Sequence, residues 1–503
     1  MNGIIFFNPR SGKYNRRVPL SILQVAASIQ NKYPFVIVDG NFEKDPWIKI
    51  ESYIRSGEFK YFASTVMPGP QLKQAIPVTK KIKIHFPDII NIWGGYFASN
   101  HSRTSILSGY VNYIIHGPGD YAFPKLLDAL SNNSALDNIE NLVFMKNGII
   151  VSTPKAEIPD QDSLPPLPYE ILNSFYPINN YIGKTFLGTR TFAYHSSMGC
   201  PFTCAFCGIV PIFNARWKAR SAVNIYNDLL HLKEKYGINA VEFFDNNFFV
   251  SEKRVAEFSG LMRNENINWW GESRIDTMNK FSNKTLSLMA EAGCKMIFFG
   301  AESGNDDLLN KMNKGGTQTG RLIESFTVRM KDFGIIPEYS FILGFPGNSP
   351  EQVMNQIRFD IDFIKKIKEI NPAAEIIIYI FSPVPTESSE LLSQSQNLGF
   401  RFPQTLEEWL EPEWEKFDTH NNPLTPWLTK EMVDTIHNFE TVLNGYFPTV
   451  SDYKLIPLQR RMIKSLSSFR YKNNLYSHPY EIKALQKFWL KYRRPEVEGF
   501  YME

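Results

Sequence analysis

Apolar and polar positions alternate along this chain in two rhythms. Over the first 150 residues, short apolar runs at 4–8, 35–39, 60–66, 89–93 and 113–116 predict strands, and 20–29 and 70–85 carry apolar residues at helical spacing. Strand and helix in turn at these lengths predict a doubly wound parallel sheet that takes ligands at the carboxyl ends of its strands. Glycines stand at two of those ends, Gly94-Gly95 and Gly117-Pro118-Gly119-Asp120. A bare Cα there lets a ligand approach the backbone, although a glycine pair also serves simply to shape a strand-to-helix turn. Residues 121–160 predict a helix and a small hairpin turning at Asn147-Gly148.

The stretch 154–181 is rich in proline, can continue neither sheet nor helix, and marks a linker. From Thr191 the alternation resumes with a longer period. Strands at 191–198, 240–244, 267–273, 296–300, 339–343 and 375–381 predict a partial (β/α)6 barrel, whose chemistry collects at the carboxyl ends of the strands. After residue 400 the stretches 405–417, 428–443 and 478–492 have helical period with aromatics on it and predict a C-terminal helical cap over one barrel mouth. The division is then 1–150, a linker 151–185, a barrel 186–400 and a mostly helical region 401–503.

Composition narrows the function classes. With 43% apolar and 21% charged residues, the 503-residue chain reads as an ordinary soluble globular protein. A net charge of +3 is too small at this length for a nucleic-acid groove. No apolar run reaches the ~18 residues that span a bilayer. The opening MNGIIFFNPRSGKYNRR has no basic region before its apolar run, so neither a signal peptide nor a membrane partner is expected. Four cysteines, three of them in one motif, fit a reducing compartment, the cytoplasm.

That motif is HSSMGCPFTCAFCG, residues 195–208, in which Cys200, Cys204 and Cys207 stand as C-x-x-x-C-x-x-C. Three thiolates in eight residues must face one object, because they cannot pair off among themselves. A structural zinc site wants four closed ligands, which His195 or Cys294 would have to complete. A [4Fe–4S] cluster held by three cysteines keeps one iron open.

This spacing, with Phe206 before the last cysteine, resembles the radical S-adenosylmethionine (SAM) superfamily. The resemblance implies that the open iron chelates SAM, and that an electron from the cluster splits its S–C bond to give a 5′-deoxyadenosyl radical. Four cysteines leave too little sulfur for a second cluster. In the same family Phe206, Asp245 in VEFFDNN, Arg274 in GESRID, and Glu302 and Ser303 in GAESG fall at SAM contacts. Each has a plainer reading beside that one: a turn cap for Asp245, a surface ion pair for Arg274, a helix cap for the Glu302-Ser303 pair. Gly344-Phe345-Pro346-Gly347 matches a turn that shapes the adenine pocket, whereas Pro385-Thr386 lacks the glycine that the family places between them. His195 reads as a core histidine and Cys294 as a small buried hydrophobe.

The N-terminal blocks NPRSGKYNRRVPLSILQVAA, STVMPGPQLKQA, IWGGYFAS and IIHGPGDYAFPKLL are similar to the cobalamin-binding domain that precedes the barrel in one large branch of this superfamily. The resemblance places cobalamin at Ser64, Thr65, Gly94 and Gly95, with Gly117 and Gly119 as further contacts. The D-x-H-x-x-G motif that ligates cobalt from below is missing, because the first strand ends Asn8-Pro9-Arg10 and no histidine follows in that loop. Ser21 also stands where the family usually has glycine. The family implies a cobalamin-dependent radical SAM enzyme, most often a methylase of an unactivated carbon in a small molecule, served by a reductase, flavodoxin or ferredoxin. Oxidative cyclisation or rearrangement without methyl transfer, and a zinc- or iron–sulfur-binding protein without activity, are the other readings.

Overall fold

The computed structural model describes residues 2–12, 16–314, 316–386, 389–415, 424–448 and 456–490; the last residues of the helical stretches predicted over 405–417 and 478–492 lie outside these. The first sheet contains β1 (Gly3–Asn8), β2 (Phe35–Asp39), β3 (Phe59–Thr65), β4 (Ile90–Gly94), β5 (Tyr113–Ile115), β6 (Leu142–Lys146) and β7 (Ile149–Ser152). Its order is β2-β1-β3-β4-β5-β6-β7, parallel through β5 and antiparallel beyond it. β1 is buried throughout because helices cover both of its faces, which is why its sequence is continuously apolar. Ile4 and Phe6 pack with Leu23 and Phe123 of the helices Leu20–Ala27 and Ala122–Ser131, while Ile5 and Phe7 pack with Ile50 and Val78 of Pro46–Arg55 and Pro70–His85. Strand order reverses between β1 and β3, so a crevice opens at Asn8 and Thr65. The hairpin turns at Asn147 and Gly148, both with positive φ (51° and 80°), the conformation an Asn-Gly pair supplies most cheaply.

The second sheet runs β15-β14-β13-β12-β11-β8, every neighbouring pair parallel. Its strands are β8 (Thr191–Tyr194), β11 (Ala240–Phe243), β12 (Asn268–Ser273), β13 (Cys294–Glu302), β14 (Ile336–Leu343) and β15 (Glu375–Ile380). β8 and β15 are its two edges, so the barrel is open. Five covering helices start on a serine or threonine whose side chain accepts the backbone N–H three residues on: Ser221, Ser251, Ser282, Thr319 and Ser349. This repeated cap is worth about 1 kcal/mol per helix and fixes where each begins.

The run 191–198 is not one strand. β8 stops at Tyr194, and Ser197–Gly199 forms β9, antiparallel to β10 (Trp217–Ala219). The break lies at Ser196, whose N–H and hydroxyl both go to the Asp245 carboxylate at 2.8–3.1 Å and so leave the ladder. β13 also runs further than the sequence predicts, through an irregularity between Gly300 and Glu302 that puts Glu302 at φ +64°.

The C-terminal region caps in part and straps in part. Trp427 donates to the Gly344 carbonyl at the end of β14 (2.9 Å), and Lys430–Tyr446 buries Ile436 and Phe439 in the barrel core. Leu406 and Trp409 instead join Trp93 of the first sheet and Phe97 of the helix Gly95–Asn100 that follows it. No described helix is long and apolar enough to cross a membrane.

On the face of the barrel sheet away from its helices, Ala240, Trp270 and Met296 form a small apolar cluster. Glu242 shares that face of β11, is 2% exposed, and has one carboxylate oxygen without a hydrogen-bond partner among the described residues. Burial pushes its pKa up to about 7, against the opposing charge of Arg17. A carboxyl whose pKa is raised on folding is tolerated below its unfolded value and costs stability as pH rises toward 7. Glu242→Gln is therefore expected to be more stable than the parent by about 2 kcal/mol at pH 8 and to lose the advantage near pH 4.5, as measured by chemical denaturation across that range.

Candidate active site

The cysteine loop leaves β9 and is pinned from several sides. Ala205 donates its N–H to the Met312 carbonyl (2.9 Å), Asn313 holds Thr203 (3.0 Å), and Ser389 holds the Ala205 carbonyl (2.8 Å). Cys200, Cys204 and Cys207 are free and half-buried. Burial raises the thiol pKa of Cys200, and that of Cys207 to about 12, so these sulfurs become thiolates only beside a positive centre. That donor set suits a metal cluster. Cys294 cannot join it, because it opens β13 at the amino end of the sheet, 1% exposed, while the loop lies past the carboxyl end. His195 lines a crevice with Gln24, Gln161 and Ser197. Among the described residues no three His, Cys, Asp or Glu side chains close on a single ion.

Two buried ion pairs stand beside the loop. The Arg274 guanidinium is held by Asp276 at 2.8–2.9 Å, donates to the Cys204 sulfur at 3.1 Å, reaches the Lys314 carbonyl, and lies 4.1 Å over the Phe202 ring. Lys314 bonds Glu302 at 3.0 Å and the Gly300 carbonyl at 3.1 Å, with its ammonium 5.8 Å from the Phe206 ring centre. A side chain on Gly300 would collide with the Glu302 carboxylate, its Cβ 2.2 Å from Oε1. Ser340 gives Glu302 a further hydrogen bond at 3.2 Å. Arg274, Glu302 and Phe206 thus stand together around the cysteines.

Asp245 and Ser303 are engaged differently. Asp245 is fully buried and spends both oxygens on Ser196. Ser303, also fully buried, donates to Asp360 (2.7 Å), which accepts the Gly304 N–H as well (2.9 Å). Both fix backbone turns at strand ends.

At the first sheet's crevice, Ser64 is buried and Thr65 accepts a hydrogen bond from Ser21 (3.2 Å). The serine that departs from the family pattern therefore ties the first helix to the end of β3. Gly95 has φ +89°, and a Cβ there would lie 2.8 Å from Thr65 Oγ1; at Gly94, by contrast, a Cβ would make only ordinary contact with Ile115, at 3.9 Å. Gly117 has φ +140°, and a Cβ on Gly119 would lie 3.0 Å from Val25. At Gly95, Gly117 and Gly119 the missing Cβ makes room for Thr65 and Val66, Asn141, and Val25 of the chain itself. In the loop after β1, Arg10 turns back to the Gly40 and Glu43 carbonyls (3.0 and 2.9 Å).

Lys314, Asp276, Asn247 and Tyr96 escaped the sequence reading. Lys314 precedes a glycine pair and reads as a surface loop residue; its burial comes from Glu302, twelve residues earlier. Asn247 hydrogen-bonds Cys200, and only its place in the Asp245-Asn246-Asn247 run hinted at it.

Residues 194–359 match the radical SAM superfamily. They form a radical SAM domain. An uncharacterized methyltransferase of Pyrococcus horikoshii is 28% identical over 353 residues, 69% of this chain and 74% of that protein. The anaerobic magnesium-protoporphyrin IX monomethyl ester cyclase of a Synechocystis strain is 24% identical, covering 58% of this chain and 55% of the cyclase. The cytidylyl-2-hydroxyethylphosphonate methyltransferase of Streptomyces wedmorensis is 20% identical, covering 63% of each. The chain thus spans just over half to three quarters of these relatives. The fold is that of the cobalamin-dependent SAM radical enzyme OxsB, solved with aqua-cobalamin and SAM (TM-score 0.69, 15% identity, 98% of this chain and 75% of OxsB). It is also that of the radical SAM methyltransferase TsrM from Kitasatospora setae, solved with cobalamin and a [4Fe–4S] cluster (TM-score 0.61, 16% identity, 80% of each).

The pairing in the radical SAM domain makes a prediction of its own. Lys314→Met leaves Glu302 charged and buried and is expected to destabilise the protein by about 3 kcal/mol in denaturant titrations. Adding Glu302→Gln should recover most of that loss.

Proposed function

We propose that the chain is a cobalamin-dependent radical SAM enzyme that methylates an unactivated carbon of a small molecule. The observation that carries this reading is the meeting of the two sites: Tyr96, the residue after Gly94-Gly95, packs its hydroxyl against Gly208, the residue after Cys207. Asn100 secures the same join by donating to the Gly208 carbonyl (3.1 Å). A corrinoid held at Gly94 and Gly95 would border the helix Gly95–Asn100, which meets the cysteine loop at Gly208. The methyltransferase names of the Pyrococcus and Streptomyces relatives, and the cobalamin bound in OxsB and TsrM, support the assignment.

When bound, the cluster and SAM supply an electron and a carbon radical, and cobalamin supplies a transferable methyl group. The protein's part is to hold and shield them. Cys200, Cys204 and Cys207 carry the cluster, and Arg274 neutralises charge at Cys204. Phe206, Glu302 and Lys314 line the SAM side; Asp245 and Ser303 hold the turns that shape it. Ser64, Thr65, Gly94, Gly95, Gly117 and Gly119 form the corrinoid cradle. Radical chemistry needs water kept out, and the aromatic, half-buried surroundings of the loop serve that end. The electron would come from a reductase, flavodoxin or ferredoxin, and a reducing cytoplasm would keep the thiols free.

The test is anaerobic reconstitution with cluster, SAM and cobalamin, followed by mass analysis of the product. A product heavier by one methyl is the expected result; SAM cleavage with no methyl gained would move the chain to the cyclases. Cys204→Ala is expected to lower 5′-deoxyadenosine formation at least a hundredfold while leaving the circular dichroism spectrum unchanged. Bound cob(II)alamin is expected to give a spin-resonance spectrum without superhyperfine coupling from a protein imidazole, checked with a corrinoid that lacks its own base.

A further inference from the structure

The helix Pro457–Lys472 carries apolar side chains on two opposite faces. Ile463, Ser467 and Tyr471 step by four and are buried toward Lys430–Tyr446, where a Cβ on Gly445 would meet Ser467 and the Tyr446 and Tyr471 rings stack 4.6 Å apart. Leu458, Met462, Leu466 and Phe469 step by four, four and three along the other face and are 40–68% exposed. Single apolar residues on a surface are ordinary, but eight of the nineteen large ones exposed among the described residues stand between Ile456 and Phe488. Arg470 fixes the turn after the helix by donating to the Ser477 carbonyl (2.8 Å) and to Glu481 (3.0 Å). A groove of about 870 Å³ opens there, lined by Met462, Leu466, Phe469, Leu475 and Leu485. Phe488, three residues past Leu485, is 77% exposed.

Charge around this face has one sign. Pro457–Lys472 holds five lysines and arginines and no acid, and residues 457–494 hold ten against the single acid Glu481, although the whole chain has a net charge of only +3. Arg461 and Lys472, both exposed, follow Leu458 and Phe469 by three positions and so border the apolar stripe. The place in the fold excludes an electron donor. Lys365, in the second half of Pro350–Ile370, lies 5.5 Å from the Tyr471 ring, and that half leads to the amino end of β15, whereas the cysteine loop lies past the carboxyl ends of the strands. Two copies joined through the stripe would set basic flank against basic flank. We infer that this face docks the protein on an anionic lipid bilayer, with Leu458, Met462, Leu466 and Phe469 entering the acyl boundary and the lysines and arginines beside them meeting the headgroups. An amphipathic helix with exposed apolar residues and basic flanks lies in the plane of such an interface. The expectation of no membrane partner came from the lack of a signal peptide and a spanning run, and a surface helix needs neither.

The experiment sediments the full chain with vesicles of phosphatidylcholine alone or mixed with phosphatidylglycerol, at low and high salt, and takes the oligomeric state from sedimentation velocity. The parent is expected to bind the anionic vesicles about tenfold more tightly than the neutral ones and to be released by salt. Met462→Ser/Phe469→Ser should lose about tenfold on the anionic vesicles, because its apolar anchors are gone. Arg461→Gln/Lys472→Gln should lose about as much and show a flatter salt dependence. Ile149→Ser, which removes an equally exposed apolar side chain from the hairpin of the first sheet, should bind like the parent. All these positions are exposed, and circular dichroism checks that each variant is folded. A parent left in solution by the anionic vesicles overturns the inference: a dimer that Met462→Ser/Phe469→Ser separates gives the face to a second copy, and a monomer gives it to a protein partner or to the residues after Leu490. Vesicle binding that neither double variant weakens overturns it as well. Either result leaves the proposed function standing, since no cofactor enters the assay.

Discussion

Asp245 sits fully buried at the end of the second barrel strand and takes the N–H and hydroxyl of Ser196. A buried carboxylate must be paired, and here the pairing removes Ser196 from the strand ladder and turns the chain aside. Everything that follows in sequence inherits that turn: β9, the pairing with β10, and the direction in which the cysteine loop leaves the sheet. Arg254 meets the same serine hydroxyl, so the corner is held by charge on two sides. The three sulfurs stand over the barrel because one backbone amide was diverted.

The two sheets are then joined at several points, none of them large. Tyr96 and Asn100 meet the loop at Gly208, and Arg17 stacks 4.3 Å over Phe244 at the end of β11. Tyr181 and Tyr176, at the end of the proline-rich stretch, reach back to Asp39 of β2 through a hydroxyl donated at 2.8 Å and one accepting at 3.1 Å. The tyrosines among these contacts are polar at the tip and aromatic along their length. Such side chains hold orientation through a hydrogen bond while excluding water with the ring.

The parts legible in the sequence were those written in local pattern. The strands of the first sheet read from continuous apolar runs because both faces are covered, and the glycine pair and the hairpin turn read from backbone demands that only a few residue types meet. Cys200, Cys204 and Cys207 stand out by spacing alone, and the structure leaves them free and half-buried on one loop. What stayed hidden depends on partners far apart in sequence. Nothing near Lys314 says that Glu302 will pair with it in the interior, and nothing in HSSMG says that Asp245, fifty residues on, will end the strand at Tyr194. Asp245 and Ser303 stand out in the sequence at strand ends, but their hydrogen bonds to Ser196 and Asp360 are set by the packed structure.

The strap formed by Leu406 and Trp409 bears on how the molecule is made. Trp409 stacks at right angles on Phe97, 5.0 Å between ring centres, and also meets His101, while Glu407 bridges to Lys80. The hydrophobic interior of the first lobe is thus finished by residues that leave the ribosome some three hundred positions after its own strands. Until then that lobe lacks this aromatic cover, and an apolar face left bare during synthesis is the kind of surface on which partly folded chains associate.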